Sequence, residues 1–114
     1  MRLSQQATLQ GSHMITCYLN YLIDPYKVEE FETYARLWIP LVTKFGGTHH
    51  GYFLPHEGAN NRAYALFSFP SLAEYETYRN KIKTDGDCIA AWEHAEKTSC
   101  IVSFERSFMR PVFE

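Results

Sequence analysis

The sequence predicts an α+β domain built on one four-stranded antiparallel sheet with helices on one face. Four segments rich in β-branched and aromatic residues alternate with helical patterns in the order β-α-β-β-α-β, with a short extra helix before the last strand. A turn-like segment separates the second strand from the third, so these two form a hairpin. The 114 residues are 46% hydrophobic and 16% aromatic, which suits one buried core and excludes a disordered chain.

The first thirteen residues are set aside. They carry no aromatic residue and no periodic pattern, and the sequence GSHM that ends at Met14 is typical of an expression-vector scar. We therefore predict a tag over residues 1–13 and a single domain over residues 14–114.

The first strand is predicted over residues 14–22, and the first helix follows directly. Asp24 can cap this helix and Pro25 suits its first position. Pro40 predicts a kink or break near Trp38, because proline removes a backbone hydrogen bond and clashes with the preceding turn. Apolar residues at steps of three and four mark the buried face: Val28, Phe31, Ala35, Trp38, Val42 and Phe45.

The rest of the chain follows the same alternation. The predicted elements are strands over residues 48–55 and 62–69, a helix from Ser71, a short helix over residues 88–96 and a strand over residues 99–109. Ser71 and Glu74 form a capping box at the start of their helix. This order of elements is the ferredoxin-like pattern.

Both faces of the predicted sheet are apolar. The third strand carries alanine and phenylalanine on one side, and Tyr64 and Leu66 on the other. The helices can cover only one face, and an exposed face would alternate with polar residues. We therefore predict a homodimer in which the sheets of two copies face each other.

Several segments together resemble the bacterial members of the NIPSNAP family. They are residues 46–53 (GGTHHGYF), 60–69 (NNRAYALFSF), 71–79 (SLAEYETYR) and 100–106 (CIVSFER), followed by Phe108 and Pro111. The resemblance covers residues 14–114 and implies a dimeric α+β barrel. That fold is shared with antibiotic-biosynthesis and haem-degrading monooxygenases, whereas the NIPSNAP family has no settled activity. Fold alone is a weak guide to reaction.

Asn20 and His50 are the candidate catalytic residues. Asn20 lies in the middle of a strand, where asparagine is disfavoured, so its amide needs partners. The related monooxygenases place an asparagine near this point, and by resemblance Asn20 would orient a ligand carbonyl or dioxygen. The alternative is a structural hydrogen bond across the dimer or to a helix. His50 is an acid–base candidate, and its alternative is an interface or core histidine whose nitrogens are satisfied.

Aromatic residues supply the candidate ligand site. Strict alternation places Tyr52 on the same side of its strand as His50. The helical residues are core candidates that can also form a roof for a flat ligand. The predicted ligand-binding residues, in a cleft between sheet and helices, are Tyr18, Trp38, Tyr52, Tyr64 and Trp92.

No motif in the sequence assigns a reaction. We find no phosphate loop, zinc-ligand spacing, catalytic triad, or flavin or nicotinamide fingerprint, so no metal and no cofactor is predicted. The net charge of −2 argues against nucleic acid, and no apolar run is long enough for a membrane span. Three widely spaced cysteines favour a reducing, cytoplasmic setting.

The sequence therefore leaves three functions open. The first is a homodimer that binds a small, partly planar molecule in the cleft. The second is a cofactor-independent, monooxygenase-like enzyme. The third is a purely structural dimer without a ligand.

Overall fold

The computed structural model describes residues 14–113, and its elements follow the predicted order. They are β1 (Ile15–Ile23), α1 (Val28–Lys44), β2 (Thr48–Phe53), β3 (Arg62–Phe69), α2 (Leu72–Lys81), α3 (Gly86–Thr98) and β4 (Ile101–Met109). The strands form one antiparallel sheet in the order β2-β3-β1-β4. The predicted ferredoxin-like α+β fold is confirmed. The tag predicted over residues 1–13 lies outside the described residues.

The first helix differs from its prediction at its start and in its middle. The Asp24 carboxylate accepts a hydrogen bond from the Tyr26 N–H at 2.9 Å, which forms a turn, and the helix begins only at Val28. The predicted cap at Asp24 is therefore wrong. The break expected at Pro40 is also wrong, since α1 runs through it to Lys44. Pro40 is exposed, so water can reach the carbonyl that loses its partner.

The Ser71 half of the predicted capping box is confirmed at the start of α2. The Ser71 hydroxyl accepts a hydrogen bond from the Glu74 N–H at 3.1 Å. In α3 the Asp85 carboxylate does the same for the Cys88 N–H. These two caps explain why both helices begin where short polar residues end a loop.

The close approach of α1 to the sheet depends on Gly47. A Cβ at this position would lie 2.7 Å from a side-chain carbon of Val42 and 2.7 Å from one of Phe69. No other residue type fits without displacing these neighbours. Gly46 before it has a φ of +95°, a left-handed conformation that ends the helix at low cost for glycine.

The helices cover one face of the sheet. The core lies there, between the inward residues of β1 and β3 and the apolar stripes of the helices. The opposite face, called the open face below, has no cover within the chain. The last strand is exposed on both sides, because every residue of β4 after Ile101 is exposed. The predicted asymmetry between a covered and an uncovered sheet face is therefore present.

Candidate functional site

A cleft opens on the helix side of the sheet, and every strand and helix contributes to it. Its volume is about 40 Å³, which is room for roughly three water molecules. α1 packs mainly on α3 and β2, and α2 packs on β3, so the cleft forms between them over β1. The lining residues are Leu19, Tyr21, Tyr34, Trp38, Val42, Tyr52, Phe67, Tyr75, Tyr78, Arg79, Trp92 and Arg106.

Three of the predicted site residues line this cleft. Trp38 of α1 is buried, and its ring centroid lies 5.3 Å from that of the half-buried Trp92 of α3. Tyr52 of β2 packs against Tyr21 of β1, with ring centroids 6.2 Å apart. The two tryptophans and Tyr52 therefore occupy the place predicted for ligand-binding residues.

The other predicted residues lie on the opposite side of the sheet. Tyr18 and Tyr64 stack on the open face with ring centroids 5.9 Å apart. Asn20 is paired in register with Tyr64 and shares that face, as does His50, whose ring bonds Ser68 there. The prediction that all these residues share one cleft is wrong, because the sheet itself separates them from Trp38 and Tyr52.

A β-bulge explains the error at His50. His49 pairs with Phe67 and Gly51 with Leu66, so His50 is the extra residue between them. Strict alternation would place His50 and Tyr52 on one side, but the bulge inserts one residue and reverses the phase. His49, not His50, therefore shares the helix side with Tyr52.

Asn20 is a polar group without a partner. Its Oδ1 is buried and accepts no hydrogen bond within the described chain. Because Asn20 faces away from the cleft, it cannot orient a ligand bound there. This departs from the position implied by the monooxygenase resemblance.

His50 belongs to a short chain of hydrogen bonds on the open face. Its Nε2 lies 2.7 Å from the Ser68 hydroxyl, which lies 2.7 Å from the Thr16 hydroxyl. A second cavity, of about 180 Å³, adjoins His50 and Ser68 and is also lined by Met14 and Phe113, at the two ends of the described chain. His50 therefore links three strands through Ser68, in the manner of a structural histidine.

His49 was not among the predicted site residues. Its ring stacks on Tyr52 with centroids 5.0 Å apart, and its Nδ1 accepts a hydrogen bond from the Gly51 N–H at 2.9 Å. The other ring nitrogen, Nε2, is buried without a partner. Burial, and to a lesser extent the neighbouring His50, lowers the pKa of His49 to about 4. His49 is therefore neutral at physiological pH.

Phenol groups dominate the polar chemistry of the cleft. Burial raises the pKa of Tyr34 to about 12, and it also raises the pKa values of Tyr21, Tyr52, Tyr75 and Tyr78. Each hydroxyl therefore keeps its proton and can donate a hydrogen bond. Sequence reasoning missed Tyr34, although it lies four residues before Trp38 on the same helical face.

The cleft contains cationic and neutral donors but no carboxylate. Arg79 comes from α2 and Arg106 from β4, and no aspartate or glutamate is among the lining residues. The Nε1 of Trp38 is buried and acts on the neighbouring Tyr34 hydroxyl, but it makes no hydrogen bond of ordinary geometry. The site can therefore receive a ligand through the ligand's acceptor atoms.

The described histidine, cysteine and carboxylate side chains are scattered. Residues 14–113 contain no group of three His, Cys, Asp or Glu side chains that could hold a metal ion. Cys17, Cys88 and Cys100 are free and buried. Burial raises the pKa of Cys17 to about 11 and that of Cys88 to about 12, so both remain protonated thiols. No helix in this region has the length and apolar character needed to cross a membrane.

The sheet order and the helix-side cleft define this chain as a ferredoxin-like α+β protein, and comparison with known proteins names its family. A model of the NIPSNAP family matches residues 18–113, so the chain belongs to that family. The predicted resemblance is confirmed. No curated protein matches the sequence significantly.

Solved structures agree with this assignment. A NIPSNAP family protein with unknown function from Agrobacterium tumefaciens has a TM-score of 0.76 at 19% identity, covering 90% of this chain and 93% of that one. A second Agrobacterium tumefaciens NIPSNAP protein has a TM-score of 0.73 at 24% identity, covering 89% and 95%. A candidate antibiotic biosynthesis monooxygenase from Nitrosomonas europaea has a TM-score of 0.68 at 9% identity, covering 90% and 93%. At these identities the likeness concerns the fold alone.

Proposed function

We propose that this protein is a homodimer that binds a small, partly planar molecule in the cleft between its sheet and its helices. The observation that carries the proposal is a cavity with aromatic walls, one of which is Trp38, whose buried Nε1 has no hydrogen-bond partner. A buried donor without a partner costs about 1–3 kcal/mol. A ligand that accepts this hydrogen bond would remove that cost.

The size of the cleft restricts how a ligand would bind. The cavity of about 40 Å³ accommodates only a few heavy atoms, so it suits the polar end of the molecule. The half-buried Trp92 stands beside the buried Trp38 and offers an aromatic face to the remainder. The proposed ligand therefore enters with a polar group and stacks its planar part near Trp92.

Intrinsic fluorescence tests this proposal, because both tryptophans of the chain line the cleft. A panel of small planar compounds is titrated into the purified protein, and fluorescence and thermal stability are recorded. We expect a saturable fluorescence change and a rise in melting temperature. In Trp38→Phe the half-saturation concentration, read from Trp92 fluorescence and from the melting shift, should increase, since phenylalanine lacks the donor. Tyr18→Phe on the open face is the matched control and should leave binding unchanged. A panel without any saturable response, or binding lost with Tyr18→Phe instead, would contradict the proposal.

The open face supports the homodimer. It carries the stacked pair Tyr18 and Tyr64, the 52% exposed Phe53 and the unpaired Oδ1 of Asn20. Exposed aromatic surface with an unsatisfied acceptor is typical of an interface. Light scattering should give twice the chain mass, and Leu66→Glu on this face should give a monomer. A monomeric mass for the unmodified protein at micromolar concentration would refute the dimer.

The other two functions have less support. A cofactor-independent monooxygenase agrees with the fold of the Nitrosomonas europaea neighbour, but Asn20 and His50 lie across the sheet from the cleft. A purely structural dimer leaves the Trp38 donor and the lining arginines without a role. Oxygen consumption with the bound compound would distinguish an enzyme from a binding protein.

A cytoplasmic location is part of the same proposal. Its support is the presence of three buried, free cysteines, which a reducing compartment keeps unpaired. Fractionation of the native cells tests it, and recovery outside the cytoplasm would contradict it.

A further inference from the structure

Two arginines from separate elements meet at the cleft. Arg79 lies in the last turn of α2, and Arg106 lies in β4, where it is paired in register with Leu19 of β1. Leu19 faces the helices, so Arg106 projects to the same side of the sheet as Arg79. Both charges lower the pKa values of Cys17 and Tyr75 against the larger, opposite effect of burial. The two guanidinium groups therefore act on one small region.

Neither arginine is neutralised by an acidic side chain. The ion pairs among residues 14–113 join Arg36 to Glu32, and Lys44 to Asp85 and Asp87. No carboxylate lies within 4.0 Å of Arg79 or Arg106 in this part of the chain. The chain as a whole carries a net charge of −2, so two neighbouring arginines without acidic partners form a locally positive region. Two free guanidinium groups at a cavity favour an anionic ligand.

The remaining polar groups of the cleft also donate. The Trp38 Nε1 has a proton but makes no hydrogen bond of ordinary geometry, and the raised pKa values of Tyr34 and Tyr78 keep their hydroxyls protonated. A set of donors without a carboxylate selects a ligand group that only accepts. A carboxylate is planar, accepts two parallel hydrogen bonds from a guanidinium, and has few enough atoms for the enclosed volume.

We propose that the ligand of the cleft is an aromatic or otherwise planar carboxylic acid, whose carboxylate is held by Arg79 and Arg106. This inference rests on the proposed function, because it names the chemical class of the molecule bound in the same cleft. The carboxylate occupies the small cavity beside Trp38, and the ring lies toward Trp92. Arg106 is exposed and makes a cation–π contact with Phe104 at 5.3 Å.

The experiment compares acids with their neutral amides on the full chain. Benzoate and 2-naphthoate are titrated against benzamide and 2-naphthamide, with tryptophan fluorescence as the readout and inorganic phosphate as a separate arm. We expect each acid to bind at least about tenfold more tightly than its amide, since charge-assisted hydrogen bonds are roughly twice as strong as neutral ones. Added salt should weaken the binding of the acids and leave the binding of the amides unchanged.

Variants of the arginines locate the effect. Arg79→Met and Arg106→Met should each reduce the affinity for the acids about tenfold, while the affinity for the amides stays the same. Arg36→Met, which removes an exposed charge that does not line the cleft, is the matched control and should change neither acid nor amide binding. Circular dichroism and thermal melting confirm that each variant is folded, and Arg79→Lys provides a second variant that retains the charge.

The possible outcomes separate the two proposals. Equal binding of acids and amides, or acids that bind normally to both methionine variants, overturns the carboxylate assignment and leaves the cleft as a neutral binding site. If phosphate binds more tightly than either acid, the carboxylate assignment is also overturned, and the ligand is a phosphate. The absence of any saturable signal from all five compounds overturns this inference and the proposed function together.

Discussion

Acidification should destabilise the protein through the imidazole of His49. The ring is stacked on Tyr52, its Nδ1 accepts the Gly51 N–H, and its proton therefore lies on the buried Nε2. A second proton on Nδ1 would break the bond to Gly51 and place a charge in the apolar interior. Burial is the main reason that the pKa of His49 falls from 6.5 to about 4, and the neighbouring His50 adds to it.

The sign and size of the effect follow from the two pKa values. In the unfolded chain the ring takes up a proton below about pH 6.5, whereas in the folded chain it does so only near pH 4. Between these values the unfolded state binds more protons, so the free energy of unfolding decreases as the pH falls. The full difference in pKa corresponds to about 3 kcal/mol as an upper limit. His49 is partly exposed, and with solvent screening we expect a loss of about 1–2 kcal/mol.

The assay is urea denaturation at fixed protein concentration between pH 7 and pH 4, followed by circular dichroism. His49→Gln should remove most of the pH dependence in this window, because glutamine does not titrate. His56→Gln, in the exposed loop between β2 and β3, is the matched control and should retain the dependence. The hydrogen bond from Lys44 lowers the pKa of Asp85, so that carboxylate loses its contribution only below this range.

Two results would refute the reasoning. The first is a His49→Gln protein whose stability falls with pH as steeply as that of the unmodified chain. The second is an NMR titration in which the His49 ring protonates near 6.5, the value of a fully hydrated histidine. Either result would mean that water reaches the Nε2 side of the ring and that the stack on Tyr52 opens readily.

Three further changes test the packing that supports the cleft. Gly47→Ala should cost about 1–3 kcal/mol of unfolding free energy, because its Cβ would lie 2.7 Å from the ring of Phe69. Gly86→Ala is the control, because its Cβ meets open space, and it should change the unfolding free energy by less than about 0.5 kcal/mol. Equal melting temperatures for the two variants would contradict this prediction. Ser68→Ala should cost about 1–3 kcal/mol by chemical denaturation, since it removes the hydroxyl that joins β1 and β2 through β3, and an unchanged midpoint would show that water replaces it. Ser71→Ala should lower the free energy of unfolding by about 1 kcal/mol, because α2 loses its cap. Ser71→Asp, which can still cap the helix, should keep the stability of the unmodified protein. An Asp variant as unstable as the Ala variant would argue against capping.

Local patterns predicted the elements well because short-range physics decides them. The stripe that contains Trp38 forms the buried face of α1, and Ser71 caps α2, as their spacing indicated. The exceptions arose where two local structures compete and the sequence pattern does not indicate which of them is more stable. The Asp24 carboxylate formed a turn before α1 in place of a cap, and Pro40 was tolerated because its side of the helix faces solvent.

The candidate site was predicted only in part because it depends on which side of the sheet each residue faces. One extra residue in β2 reverses the sides of everything after it. The available signal was Gly51, a glycine inside the strand with a φ of +112°, which strict alternation ignored. This is why Tyr52 was grouped with His50 although His49 is its neighbour. Arg106 could not be recognised as a cleft residue until the register of β4 placed it opposite Leu19.

The sequence by itself therefore determined the α+β class, the order of the elements, the Ser71 cap and the apolar stripes, since each depends on residues a few positions apart. It also determined the family, which the match over residues 18–113 confirms. Only the tertiary structure decided that Trp38, Tyr52, Arg79 and Arg106 meet in one cleft while Asn20 lies behind the sheet. The physical reason is that strand register and bulges decide which face of the sheet each residue occupies. Hydrogen bonds between strands distant in sequence set both the register and the bulges.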